Sequence, residues 1–202
     1  MDKTSKTLSA VGSLLIVISP IVFWKSLLNL SGLVGIVLFL VGIHSIASQL
    51  NKKEIFWEAL KGIVTLAVGI IVISIVLIAT IGLSVLGLIG SLSISFTIDT
   101  EDTEYLNVLL NSLYSIGPRI LIVVILSAIA SWILMIIYGL KMSKVSDMLN
   151  ESFSNLRFKE ASILFKLGGW LSIILVGFIL IWVAWLLYTI DFFSLPESQP
   201  SA

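Results

Sequence analysis

The chain has 202 residues, of which 58% are apolar and 12% charged, with twelve basic residues balanced by twelve acidic ones. A water-soluble domain carries about 25% charged residues, so half of the usual solvated surface is missing and something other than water must cover the rest. The balanced charge argues against a nucleic-acid partner, and the absence of cysteine removes disulfides, thiolate metal sites and cysteine nucleophiles.

Taken in chain order, the apolar runs predict five membrane helices, near 8–24, 27–47, 62–90, 119–140 and 167–190. Each approaches or exceeds the roughly 17–20 residues needed to cross a hydrocarbon core of about 30 Å. The first begins after a lysine-bearing start and meets the second in a tight hairpin at Lys25, with Pro20 predicting a kink. The second holds Gly32, Gly35 and Gly42, which permit close helix approach. The third belongs to an uncharged run from Ile63 to Ile98, too long for one perpendicular crossing. Ser91 to Ile98 alternates with period two, so the membrane part is expected to end near Gly90 and a strand-like tail to follow.

An outer segment follows, with acidic Asp99, Glu101, Asp102 and Glu104. Asp102 or Thr103 is expected to cap a short helix bearing Leu106, Leu109, Leu110 and Leu113, before Gly117-Pro118 opens the fourth helix. Beyond it, Met142, Val145, Met148, Leu149, Phe153 and Leu156 recur at steps of three or four. That amphipathic stripe is expected to lie on the bilayer or on the protein's own bundle. Phe178, Trp182, Trp185 and Tyr188 form an aromatic stripe on the fifth helix, read as packing plus interfacial anchoring. Residues 197–202 are expected to be a disordered tail, and 1–196 a single helical domain.

Basic residues orient the bundle. One side receives Lys3, Lys6, Lys52, Lys53, Lys61, Lys141, Lys144, Arg157, Lys159 and Lys166, and the other only Lys25 and Arg119. The positive-inside rule then places the amino terminus in the cytoplasm and the carboxyl terminus outside. Splitting the third run into two crossings would put the cluster from Lys141 to Lys166 outside, so the count favours five helices.

Ionisable groups near the bilayer midplane mark substrate, proton or ion handling, because they are costly there. None of the five helix centres holds one. Lys25, Arg119 and Asp191 fall at helix ends, where they can reach water, and His44 lies about one turn from a helix end. Thr80, Gly82, Ser84, Gly87 and Gly90 make the late third helix the most polar membrane segment and the one candidate for a gate, with packing the favoured role. No serine-hydrolase elbow, zinc-protease motif, phosphate loop or membrane carboxylate pair is present, so no catalytic, cofactor-binding or metal residues are expected.

The chain resembles a family of uncharacterised archaeal and bacterial polytopic membrane proteins, domain of unknown function 996. The resemblance lies in Gly35-Ile-Val-Leu-Phe-Leu-Val-Gly42-Ile, then Lys53-Glu54-Ile55-Phe56. It continues in Leu175 to Tyr188 running into Phe192-Phe193-Ser194-Leu195-Pro196-Glu197. It implies a small helical membrane protein and no assigned activity. The expectation is an all-α, multi-pass cell-membrane protein, not an enzyme, that acts through helix packing or through lipid and partner contacts. The expected partners are the lipid bilayer and either a second copy or another membrane protein. The alternative is a small solute transporter or channel, active as an oligomer.

Overall fold

The computed structural model describes residues 2–23, 30–97, 102–154 and 156–195. Its described residues are helical throughout: α1 (Lys3–Phe23), α2 (Leu30–Gln49), α3 (Lys53–Thr97), α4 (Asp102–Phe153), α5 (Leu156–Leu171) and α6 (Val176–Ser194), with a 3-10 turn at Ser172–Ile174 between the last two. The all-α expectation holds. Helices Ser31–Gln49, Lys53–Gly87, Ile116–Phe153 and Val176–Ser194 are long and apolar enough to cross a membrane. At about 1.5 Å per residue, the 45 residues of α3 extend roughly 67 Å, twice a hydrocarbon core, so only part of that helix can cross.

The chain divides into two compact units, Met1–Leu66 with Leu134–Ala202, and Ala67–Ile133. In the first unit, α1 and α2 run antiparallel along a seam of small residues. A Cβ added at Gly35 would lie 2.9 Å from the Gly12 carbonyl oxygen, and one at Gly42 would lie 2.5 Å from the Ser9 backbone nitrogen. Glycine at these places lets two backbones touch, the usual basis of tight packing between apolar helices. The helix ends are tied as well: Gln49 accepts from the Asp2 backbone at 2.9 Å and donates to Ser5 at 3.0 Å.

Local backbone chemistry sets the turns. After α2, Asn51 is left-handed (φ 55°), Lys52 N–H bonds Ala47 O at 2.9 Å and Asn51 N–H bonds Ser48 O at 3.2 Å. That is the paired capping of a Schellman motif, with the side chain that best tolerates the conformation after glycine. After α4, Ser154 (φ 49°) closes with one bond to Asn150 O at 2.8 Å. Between α5 and α6, Leu175 adopts φ 64° without that tolerance, a strain of about 1–2 kcal/mol.

The Leu175 turn breaks the single helix expected over 167–190 into α5 and α6. α5 leaves the end of the unit where α4 stops, and α6 returns to it: Phe165 contacts Trp185 and Tyr188, and Phe158 contacts Tyr188 and Phe192. α6 is also antiparallel to α1, since Trp182 bonds Val17 O at 2.9 Å and Thr189 bonds Ser13 at 3.1 Å. Within this unit α6 therefore ends where α1 begins. Glycines make the hairpin close: a Cβ at Gly168 would lie 2.9 Å from Gly177 O, and one at Gly169 would lie 2.8 Å from Met135 O on α4.

Other boundaries also move. Residues 91–97 are helical and continue α3, so period-two alternation yields to an unbroken hydrogen-bonded helix. α4 starts at Asp102, runs through Pro118 and absorbs both the expected short helix and the stripe beyond residue 140. Proline removes a single hydrogen bond, and the leucines before it keep helical spacing into the following run. The hairpin at Lys25, the residues Asp99 and Glu101, and the tail 197–202 lie outside the described residues.

Candidate functional site

The first unit's core is aromatic. Phe39 of α2 meets the Trp185 ring edge-on at 4.8 Å and stacks near Tyr188 at 6.0 Å, and Phe39, Phe158, Phe165, Tyr188 and Phe192 are fully buried. The aromatic and serine tips are paired: Tyr188 with Ser146 at 2.6 Å, Trp185 to Tyr138 at 3.0 Å, and Ser143 with Ser162 at 2.8 Å. The aromatic stripe of α6 thus packs inward, and only Phe178, 49% exposed, faces out. Tyr188 does not anchor at an interface. Met142, Val145 and Leu149 are fully buried too, which assigns the stripe beyond residue 140 to the protein's own bundle.

Two carboxylates near the lysine-rich end of this unit stand apart. Glu58 of α3 is 8% exposed and receives Lys141 Nζ at 2.8 Å and Lys144 Nζ at 3.3 Å from α4, with Lys61 at 3.8 Å. One buried carboxylate surrounded by three half-exposed ammonium groups clamps α3 to α4 and leaves a net positive collar. Sequence reading missed Glu58. The signals were its place inside Ile55-Phe-Trp-Glu-Ala-Leu60 and the Lys141-x-x-Lys144 spacing, which sets both amines on one helical face.

Asp191 of α6 is fully buried, and neither carboxylate oxygen has a hydrogen-bond partner. The charges that act on it are Arg157 and Glu160 of α5, across the hairpin. Placed at a helix end, it was expected to reach water; the return of α6 into the bundle buries it. Ser9 Oγ and Asn150 Oδ1 are the other buried polar atoms without partners among the described residues.

On the outer side of α2 and α3, His44, Ala47, Ser48, Lys53, Phe56 and Trp57 line a half-open cleft of about 280 Å³. The His44 ring meets Phe56 edge-on at 4.8 Å, and Phe56 meets Trp57 at 5.5 Å. A wider recess of about 580 Å³ is lined by Asn51, Lys52, Lys53, Glu54, Met148 and Glu151, with Lys52 and Glu151 paired at 3.8 Å. Among the described residues no group of three or more histidine, aspartate or glutamate side chains could hold a metal ion.

The second unit differs throughout. Ile71, Ile78, Leu83 and Leu86 on α3, with Leu121, Ile122 and Leu126 on α4, are 56–71% exposed. The hydroxyls of the expected gate turn back on their own helix, Thr80 to Val76 O at 2.8 Å and Ser84 to Thr80 O at 2.7 Å. Gly82, Gly87 and Gly90 have nothing within 4 Å of an added Cβ, so the packing favoured for this segment is not made at them among the described residues.

Helices this apolar, with their backbone bonded internally and their outer side chains uncovered, define a helical membrane protein. Residues 31–186 match the family described as protein of unknown function, DUF996, and the chain belongs to that family. No curated protein and no solved structure matches it.

Proposed function

We propose that the protein is a non-catalytic, multi-pass protein of the cell membrane that works by contact within the bilayer. The observation behind this reading is the run of exposed apolar side chains on α3 and α4 within Ala67–Ile133, among them Ile78, Leu83, Leu121 and Leu126, which lipid or another membrane helix can cover. The first unit is the folded anchor. Because the native chain lacks cysteine, single cysteines at Ile78 and Leu126 supply the test. In sealed membranes both should resist an impermeant maleimide added to either side, while a photoreactive group at the same sites should capture lipid or protein. Rapid aqueous labelling at both sites overturns the proposal, as does steady turnover of any solute by the purified protein.

A second reading, a small transporter or channel active as an oligomer, is favoured by Asp191. A buried carboxylate without partners among apolar helices is the kind of group that proton or cation handling requires. Reconstituted vesicles should then show cation or proton flux that Asp191→Asn abolishes. Equal flux from both forms, or none, removes this reading.

A further inference from the structure

We propose that the cleft between α2 and α3 holds the phosphate of an anionic phospholipid, with the acyl chains laid against the exposed apolar side chains beyond it. This rests on the membrane reading above and names the lipid.

Three residues that carry N–H donors line the cleft: Lys53, His44 and Trp57. Lys53 forms no ion pair among the described residues, in contrast to Lys52, Lys61, Lys141 and Lys144; no carboxylate lines the cleft itself, and Glu54 and Glu151 line the recess that Lys53 borders on its other side. Ser48 adds no donor, because its hydroxyl already bonds His44 O at 2.9 Å. Lys53 also opens α3, whose dipole adds partial positive charge at the same place. The site is therefore cationic on a rim of aromatic rings, the composition that seats a headgroup at a membrane surface.

The surroundings select a lipid over a soluble anion. On α2, His44 and Ser48 share a stripe with Val41 and Val37, which are 50% and 58% exposed one and two turns further along. On α3, Lys53 and Trp57 lead to Val64, 47% exposed. Spacings of three, four and seven keep each set on one helical face. Exposed apolar side chains thus lie beyond the cleft on both helices, with Lys61 beside those of α3. At about 280 Å³ it lies just under the roughly 300–1,000 Å³ of drug-sized sites, which suits a headgroup with its chains outside.

The test uses full-length protein purified from membranes in detergent and probed with phosphatidylglycerol, phosphatidylcholine and inorganic phosphate. Native mass spectrometry should retain phosphatidylglycerol in preference to phosphatidylcholine. Lys53→Gln should weaken that retention about fivefold and Lys53→Glu more, as expected for one lysine at an anionic surface. Lys159→Gln, an exposed charge on α5, should change it less than twofold. Equal retention of the two lipids, or equal losses from Lys53→Gln and Lys159→Gln, overturns the proposal. Displacement of the lipid by millimolar phosphate overturns it in favour of a soluble anion, and loss of a dimer in the Lys53 variants does so in favour of a second copy. Alkaline extraction of the same membranes reports the underlying reading separately: a wild-type protein that stays in the pellet but keeps no anionic lipid sinks the cleft alone.

Discussion

Glycine does opposite work in the two units. In the first, Gly12, Gly35 and Gly42 let α1 and α2 touch backbone to backbone, and Gly168, Gly169 and Gly177 do the same where α5 passes α4 and α6. In the second, Gly82, Gly87, Gly90 and Gly117 face open space. Residue type alone therefore does not mark a packed helix; what lies opposite the missing side chain does. The first unit is a core that specifies one arrangement, while the second keeps its apolar side chains outward for a surrounding medium or partner to cover.

That contrast can be broken or sharpened by substitution. Phe39→Ala should cost about 3–5 kcal/mol, because it empties the centre of the aromatic core, whereas Ile78→Ala, at 71% exposure, should cost under about 0.5 kcal/mol. Denaturation in mixed micelles followed by tryptophan fluorescence measures both. Gly42→Ala should follow, at about 1–3 kcal/mol, since its methyl meets the Ser9 backbone and neither helix can yield without separating. Glu58→Ala should cost about 1–2 kcal/mol, less than a wholly buried pair, because Lys141 and Lys144 can turn to water; the same unfolding assay reads it. Gly87→Ala should have the smallest effect and the opposite sign from Gly42→Ala. It should stabilise α3 locally by about 0.5–1 kcal/mol, seen as slower hydrogen exchange at neighbouring amides. Equal effects of the two alanines would erase the distinction between the units.

Much of this was legible from residue order, because length and apolarity announce a membrane helix directly. The seam through Gly35 and Gly42 and the inward stripe of Trp182, Trp185 and Tyr188 follow from helical spacing. The α5–α6 hairpin did not follow, for a specific reason: no Lys or Arg comes after Lys166, so the charge count is blind to whether the chain then crosses once or turns back. Leu175 hides the reversal further, since a left-handed leucine carries none of the glycine, asparagine or proline signals that mark turns. The burial of Asp191 was lost with it. Glu58 was illegible differently: its partners are 83 and 86 residues away, and only the antiparallel run of α3 and α4 brings them together.

The hairpin also bears on how such a chain is built. Arg157, Lys159 and Glu160 lie where α5 starts and Asp191 lies where α6 ends, while Ser172 to Leu175 at the far tip carries no charge. A hairpin of that design keeps those four charged side chains at its open end and its tip apolar, with Lys166 the one charge along its arms.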